Sequence, residues 1–154
     1  MLAYLDREQR LIAGLLLLCL TGCSTSGLDA MNPSIRACPS SPNCVSSEDT
    51  GTLHRIEPLR PADSLLDAWQ GVLDYLATQQ NVTITAKQDD FIAAEFRTRV
   101  LRFVDDVEFA IHADEGVIAM RSASRVGFSD LGTNRRRLEK LRSALAAQGL
   151  VEPR

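Results

Sequence analysis

The sequence has few aromatic residues and no excess of basic charge. Aromatic side chains make up 5% of the 154 residues, which is too few for the stacked rings that bind nucleic-acid bases or sugars. The formal net charge is −3, so the chain lacks the basic surface that phosphate backbones attract. We therefore expect no nucleic-acid partner.

Motifs for common catalytic chemistry are also missing. The sequence contains no phosphate-binding glycine loop, no dinucleotide fingerprint, no metal-ligand spacing and no Gly-x-Ser-x-Gly elbow. The two histidines, His54 and His112, fall in a loop and at a strand end, where surface histidines are more common than general bases. The sequence predicts no cofactor, no metal and no catalytic residue, and it favours a protein that is not an enzyme.

One hydrophobic run, residues 11–20, stands near the start and follows two arginines. It is shorter than the roughly 20 residues that a membrane span needs, and it is typical of a secretory signal. The run leads into LTGC at residues 20–23, which resembles a bacterial lipobox. This resemblance implies that residues 1–22 are a lipoprotein signal peptide and that Cys23 carries lipid. The alternative is an uncleaved signal anchor, or a plain secreted protein in which the cysteine is incidental.

The residues that follow the lipobox predict a place in the cell. By resemblance to enteric lipoproteins, Ser24 after the lipidated cysteine implies an outer-membrane protein that faces the periplasm. Residues 23–37 are small and polar, which predicts a flexible lipidated tether. Residues 38–150 then form one globular domain. The expected membrane contact is the N-terminal lipid.

Two cysteines remain once the signal peptide and the lipid site are set aside. Cys38 and Cys44 lie six positions apart, and in an oxidising compartment they predict a disulfide. A metal site with His54 as third ligand is one alternative, although the gap is too long and a fourth ligand is missing. A redox pair is another, although the spacing is not Cys-x-x-Cys.

Apolar residues at helical spacing predict two helices. The first follows Pro61 and is capped by Asp63 or Ser64, with Leu65, Trp69, Val72 and Leu76 on one face and Leu66 and Leu73 at its edge. The second covers about Thr133–Gln148 and carries Leu138, Leu141 and Leu145.

Between the helices the apolar pattern changes to a period of two. It predicts strands at Val82–Ala86, Phe91 to about Val100, Val107–His112 and Val117–Ser122. The fold expected is therefore α+β, an antiparallel meander of about four strands with both helices packed on one face. A small closed barrel with flanking helices is the alternative.

Charged residues suggest two candidate anion sites. Arg135, Arg136 and Arg137 fall in the first turn of the last helix, where the helix dipole favours acidic residues. A phosphate or carboxylate ligand would explain them. Internal pairing with an aspartate or glutamate, namely Asp105, Asp106, Asp130 or Glu139, is the alternative.

The second candidate is the charged face of the sheet, where arginines and glutamates of neighbouring strands meet. Its alternative is a ladder of ion pairs that only stabilises the sheet. Across both sites the anion-binding candidates are Glu95, Arg97, Arg99, Glu108, Arg121, Arg125, Asp130, Asn134 and Arg135.

Three segments resemble a known family. They are CPSSPNCVSSE at Cys38–Glu48, FRTRVLRFVDDVEF at Phe96–Phe109, and RSASRVGFSDLGTNRRR at Arg121–Arg137. Together they are similar to the bacterial and plastid family called domain of unknown function 1499, over about residues 37–148. The resemblance implies no activity, because none is assigned to the family.

The sequence thus favours a lipid-anchored envelope protein that binds an anionic group through arginines. The candidate partners are an anionic small molecule, a lipid head group or an envelope protein. One alternative is a small hydrolase or lyase that uses Glu95 or Glu108. Another is an envelope scaffold, which would expose an apolar rim beside the arginines.

Overall fold

The computed structural model describes residues 34–98 and 101–154. The predicted signal peptide and the lipid site at Cys23 lie outside these residues. In chain order the elements are β1 (Cys44–Ser46), α1 (Leu65–Thr78), β2 (Val82–Lys87), β3 (Phe91–Arg97), β4 (Val104–His112), β5 (Val117–Ser124) and α2 (Thr133–Ala146).

The strands form one open antiparallel sheet in the order β1-β5-β4-β3-β2. The α+β class and the meander from β2 to β5 are confirmed, and the closed barrel is wrong. Strand β1 was missed because its three residues are too few to show a period of two. It is held by pairing with β5, where Cys44 lies opposite Ala123.

The strand ends near the β3–β4 loop differ from the prediction. Strand β3 ends at Arg97, before the predicted Val100, and β4 begins at Val104, before the predicted Val107. Asp105 and Asp106 therefore lie inside a strand, although aspartate disfavours strands. Both carboxylates meet arginines from other elements, and these distant partners offset the local preference.

Both helices begin close to the predicted residues. The Ser64 hydroxyl accepts a hydrogen bond from the Asp67 amide at 3.2 Å, as an N-cap should. Leu66 was expected at the edge of the apolar face but is 73% exposed. The last helix ends at Ala146, two residues before the predicted Gln148.

The main core lies between the helices and one face of the sheet, which we call the inner face. It joins side chains of both helices to side chains of the three central strands. Its largest fully buried members include Leu76, Ile92, Phe109, Ile118, Met120, Leu138, Leu141 and Leu145. The three leucines predicted on the last helix are among them.

The opposite, outer face of the sheet is partly covered by residues 34–37. Ile35 is buried against Ala110 and Ala119, and the Arg36 amide donates to Glu108 Oε2 at 2.8 Å. These four residues were assigned to the predicted tether, yet they belong to the folded domain. Glu108 is consequently buried, although alternation along the strand placed it on an open charged face.

Residues 34–154 contain every helix and strand described above and the whole of this core. We therefore expect this part of the chain to fold without residues 1–22. Within the described residues, no helix has both the length and the apolar character needed to cross a membrane.

Candidate functional site

Arg137 lies between α2 and the inner face of the sheet. Its guanidinium contacts the Asp105 carboxylate and donates to Ser122 Oγ at 2.8 Å and Asn134 Oδ1 at 2.6 Å. It also lies 4.8 Å from the centre of the Phe96 ring, a cation–π distance. Arg137 is thus paired internally, as the alternative interpretation of the three arginines proposed.

Asn134 joins this cluster to the N-terminal loop. Its amide nitrogen donates to the Asn43 carbonyl at 2.9 Å and to Ser124 Oγ at 3.0 Å. Asn43 lies in the loop closed by a disulfide between Cys38 and Cys44, which confirms that prediction. Both amide hydrogens of Asn134 are therefore used inside the protein, so this candidate holds the loop in place.

The N-terminus of α2 is occupied by the chain itself. Asp130 accepts hydrogen bonds from the Gly132 amide at 2.9 Å and the Asn134 amide at 2.7 Å through its carboxylate. A carboxylate at this position satisfies free amides and complements the helix dipole. An anion at the start of α2 would have to replace Asp130.

The charged residues of the outer face form a lattice of ion pairs. Glu95 contacts Arg97 at 2.9 Å and Arg125 at 2.6 Å, and Arg125 reaches Asp106 at 2.7 Å. Arg36, which the prediction omitted, lies 3.5 Å from Asp106. The arrangement matches the ladder of ion pairs proposed as the alternative to an anion site.

Glu108 and Arg121 continue this lattice beneath residues 34–37. The Arg36 amide and guanidinium contact both Glu108 oxygens, and Arg121 Nη1 lies 3.8 Å away. Burial lowers the pKa of the Arg121 guanidinium, and the Glu108 charge only partly opposes this shift. Glu95 and Glu108 are thus surrounded by arginines, which suits an ion-pair lattice better than acid catalysis. Arg99 lies outside the described residues.

A cleft of about 290 Å³ opens between α1, the sheet and α2. We call it the basic cleft, and it is lined by Tyr75, Gln79, Asn81, Phe96, Thr133, Arg136, Arg137 and Lys140. Arg136 and Lys140 lie one helical turn apart. The Arg136 guanidinium donates to the Leu131 carbonyl at 2.8 Å and Thr133 Oγ1 at 3.1 Å, both neutral acceptors.

Arg136 and Lys140 differ from Arg137 and from the arginines of the outer face in lacking an acidic partner. Across residues 34–98 and 101–154, neither forms an ion pair with a carboxylate. Arg135 points elsewhere and donates to the Leu53 carbonyl at 3.3 Å. The basic cleft therefore contains Arg136, one of the three arginines singled out at the start of the last helix, and Lys140, which the prediction missed.

A second cleft, of about 400 Å³, lies between the β3–β4 loop and the β5–α2 loop. We call it the apolar cleft. Its lining comprises Thr98, Leu101, Phe103, Asp105, Ser124, Val126, Gly127, Ser129, Asp130, Leu131 and Thr133. Leu131 is 84% exposed and Leu101 is 67% exposed. The sequence could have indicated this cleft only through its large apolar side chains in loops. A search for helical or strand periodicity does not detect such residues.

Among the described residues, no three histidine, cysteine, aspartate or glutamate side chains are grouped so that they could hold a metal ion.

The fold and its clefts define an α+β domain with a disulfide-closed N-terminal loop and two adjoining surface clefts. The chain belongs to the family described as "Protein of unknown function (DUF1499)", whose model matches residues 34–145. Comparisons with curated proteins and with solved structures each gave no match. Any assignment of function must therefore start from the clefts.

Proposed function

We propose that this protein is a lipid-anchored envelope protein whose domain binds an anionic group in the basic cleft. The observation that carries the proposal is the pair of cations Arg136 and Lys140. They line the same cleft, and no described carboxylate neutralises them. Every arginine of the outer-face lattice has an acidic neighbour instead.

The groups around the two cations suit an anion. Tyr75 lines the cleft, and burial raises the pKa of its hydroxyl more than the Arg137 charge lowers it. The hydroxyl therefore stays protonated at neutral pH and can donate a hydrogen bond. Charge-assisted hydrogen bonds contribute about 1.5–3 kcal/mol each, so removing both cations should weaken binding by more than about tenfold.

The test is an NMR titration of residues 24–154 with inorganic phosphate, using sodium chloride at equal ionic strength as the salt control. We expect saturable amide shifts around Arg136 and Lys140. The double variant Arg136→Gln/Lys140→Gln should lose them. A matched variant, Arg97→Gln/Arg125→Gln, removes the same charge from the outer face and should keep them.

Two results would reject this site. One is equal shifts in both double variants, because binding would then follow overall charge. The other is the absence of saturable shifts in the unsubstituted protein.

The lipid anchor is a separate part of the proposal and rests on the LTGC motif at residues 20–23. A flexible segment from Cys23 to Ser34 would have a root-mean-square length of about 17 Å, so the domain would stay near the membrane. We expect radiolabelled palmitate on the unsubstituted protein and none on Cys23→Ser. Equal labelling of the two proteins would reject lipidation at this residue.

A further inference from the structure

We infer that the ligand is amphipathic, with an anionic head in the basic cleft and one hydrocarbon chain in the apolar cleft. The inference rests on the proposed function, because it adds a chain to the anion bound by Arg136 and Lys140. It follows from the border between the two clefts, from the chemistry of the apolar cleft and from the position of that cleft relative to Ile35.

The two clefts meet at the start of α2. Thr133 lines both of them. The Arg136 guanidinium lies at this border, because it bonds to the Leu131 carbonyl and to Thr133 Oγ1, while Leu131 also lines the apolar cleft. A head group held by Arg136 would therefore have its attached chain beside Leu131.

The polar side chains of the apolar cleft are already hydrogen-bonded within the protein. Thr98 Oγ1 accepts from the Phe103 amide at 2.9 Å, and Ser129 Oγ accepts from the Leu131 amide at 3.3 Å. Ser124 Oγ accepts from Asn134. What these walls offer a ligand is mainly apolar surface from exposed side chains, which hydrocarbon would cover favourably.

The charges of the apolar cleft set the orientation of such a ligand. Asp105 and Asp130 line it, and each is engaged within the protein, by Arg137 and by backbone amides respectively. Two carboxylates disfavour an anionic head at this end, whereas Arg136 and Lys140 favour it at the other. The volume of about 400 Å³ lies within the roughly 300–1,000 Å³ of small-molecule sites.

The apolar cleft lies apart from the first described residues of the domain. The apolar cleft lies at the end of the sheet where β4 begins, next to Asp105. Ile35 packs beside Ala110, about 17 Å farther along that strand. Ile35 therefore packs away from the apolar cleft and leaves this cleft open.

The test compares ethyl, hexyl and decyl phosphate by isothermal titration of residues 24–154, each below its micelle concentration. Each buried methylene should tighten binding about fourfold until the cleft is filled. Decyl maltoside, which has the same chain on an uncharged head, should bind at least tenfold more weakly than decyl phosphate.

Substitutions separate the two ends of the ligand. Leu131 has a positive φ of 53°, which asparagine tolerates, so Leu131→Asn should preserve the fold. It should weaken decyl phosphate binding at least fourfold and leave ethyl phosphate unchanged. Leu66→Asn, at another highly exposed leucine, on α1, is the matched control and should change neither. Arg136→Gln/Lys140→Gln should weaken both.

The outcomes distinguish this inference from the proposed function. Decyl phosphate that binds no more tightly than ethyl phosphate overturns the chain site and leaves the anion site standing. Failure of every phosphate to bind overturns both. Binding to anionic phospholipid vesicles without binding to decyl phosphate, or equal effects of Leu131→Asn and Leu66→Asn, overturns the inferred ligand.

Discussion

Removing the Asp105 carboxylate should strongly destabilise the domain. Asp105 is 3% exposed, and the Arg137 side chain beside it is 12% exposed. Without the carboxylate, Arg137 keeps only the neutral acceptors Ser122 and Asn134. Breaking one half of a buried pair costs about 3–5 kcal/mol, and we expect the lower end because Arg137 borders the basic cleft.

The measurement is urea unfolding of residues 24–154 and of Asp105→Ala, followed by circular dichroism. A loss of about 3 kcal/mol also corresponds to a melting temperature roughly 10 °C lower. Arg97→Ala is the control, because Arg97 pairs with Glu95 on the outer face and is half exposed. Such surface pairs contribute about 0–1 kcal/mol.

A double-mutant cycle tests the reasoning itself. Arg137→Met removes the cation, so the variant Asp105→Ala/Arg137→Met contains no unpaired buried charge. Its loss of stability should be clearly smaller than the sum of the two single losses. A cost below about 1 kcal/mol for Asp105→Ala, or additive single losses, would refute a buried and coupled pair.

Two further predictions concern the outer face and the disulfide. Burial alone would raise the pKa of the Asp106 carboxyl, but hydrogen bonds and charges from Arg125 and Arg36 hold this pKa below its usual value. The stability that Asp106 gains from these arginines is therefore present above about pH 4. It is lost as the pH falls through the pKa of Asp106 in the folded protein. Arg125→Ala should consequently differ in stability from the unsubstituted protein more at pH 7 than at pH 3 in urea unfolding, and an equal difference would contradict this. Reducing the disulfide between Cys38 and Cys44 should cost about 2–2.5 kcal/mol by loop entropy. Unchanged unfolding after reduction would contradict that estimate.

Interactions between near neighbours were visible in the sequence. The helix after Ser64 follows from residues within a few positions, and alternation predicted the four strands between Val82 and Ser122, although not their exact ends. The disulfide was predicted by counting the cysteines that remain outside the expected signal peptide and lipid site. Three short motifs were enough to indicate the family that the chain belongs to.

Contacts between distant residues could not be predicted in the same way. Arg36 meets Glu108 across 72 positions and Arg137 meets Asp105 across 32. A local pattern gives a charged residue a face of a strand or helix, but it does not say which segment will cover that face. For this reason Glu108 was expected on an open surface and is buried.

By itself the sequence determined the helices, the meander and the cysteine pair, because local spacing and covalent chemistry decide them. Only the tertiary structure decided which arginines are neutralised and which face a cleft. Arg136 and Arg137 are adjacent in the chain, yet Arg137 turns to Asp105 while Arg136 lies at the border of the two clefts. Neighbouring residues of a helix point in different directions, and the partner that each one meets depends on the packing of the whole domain.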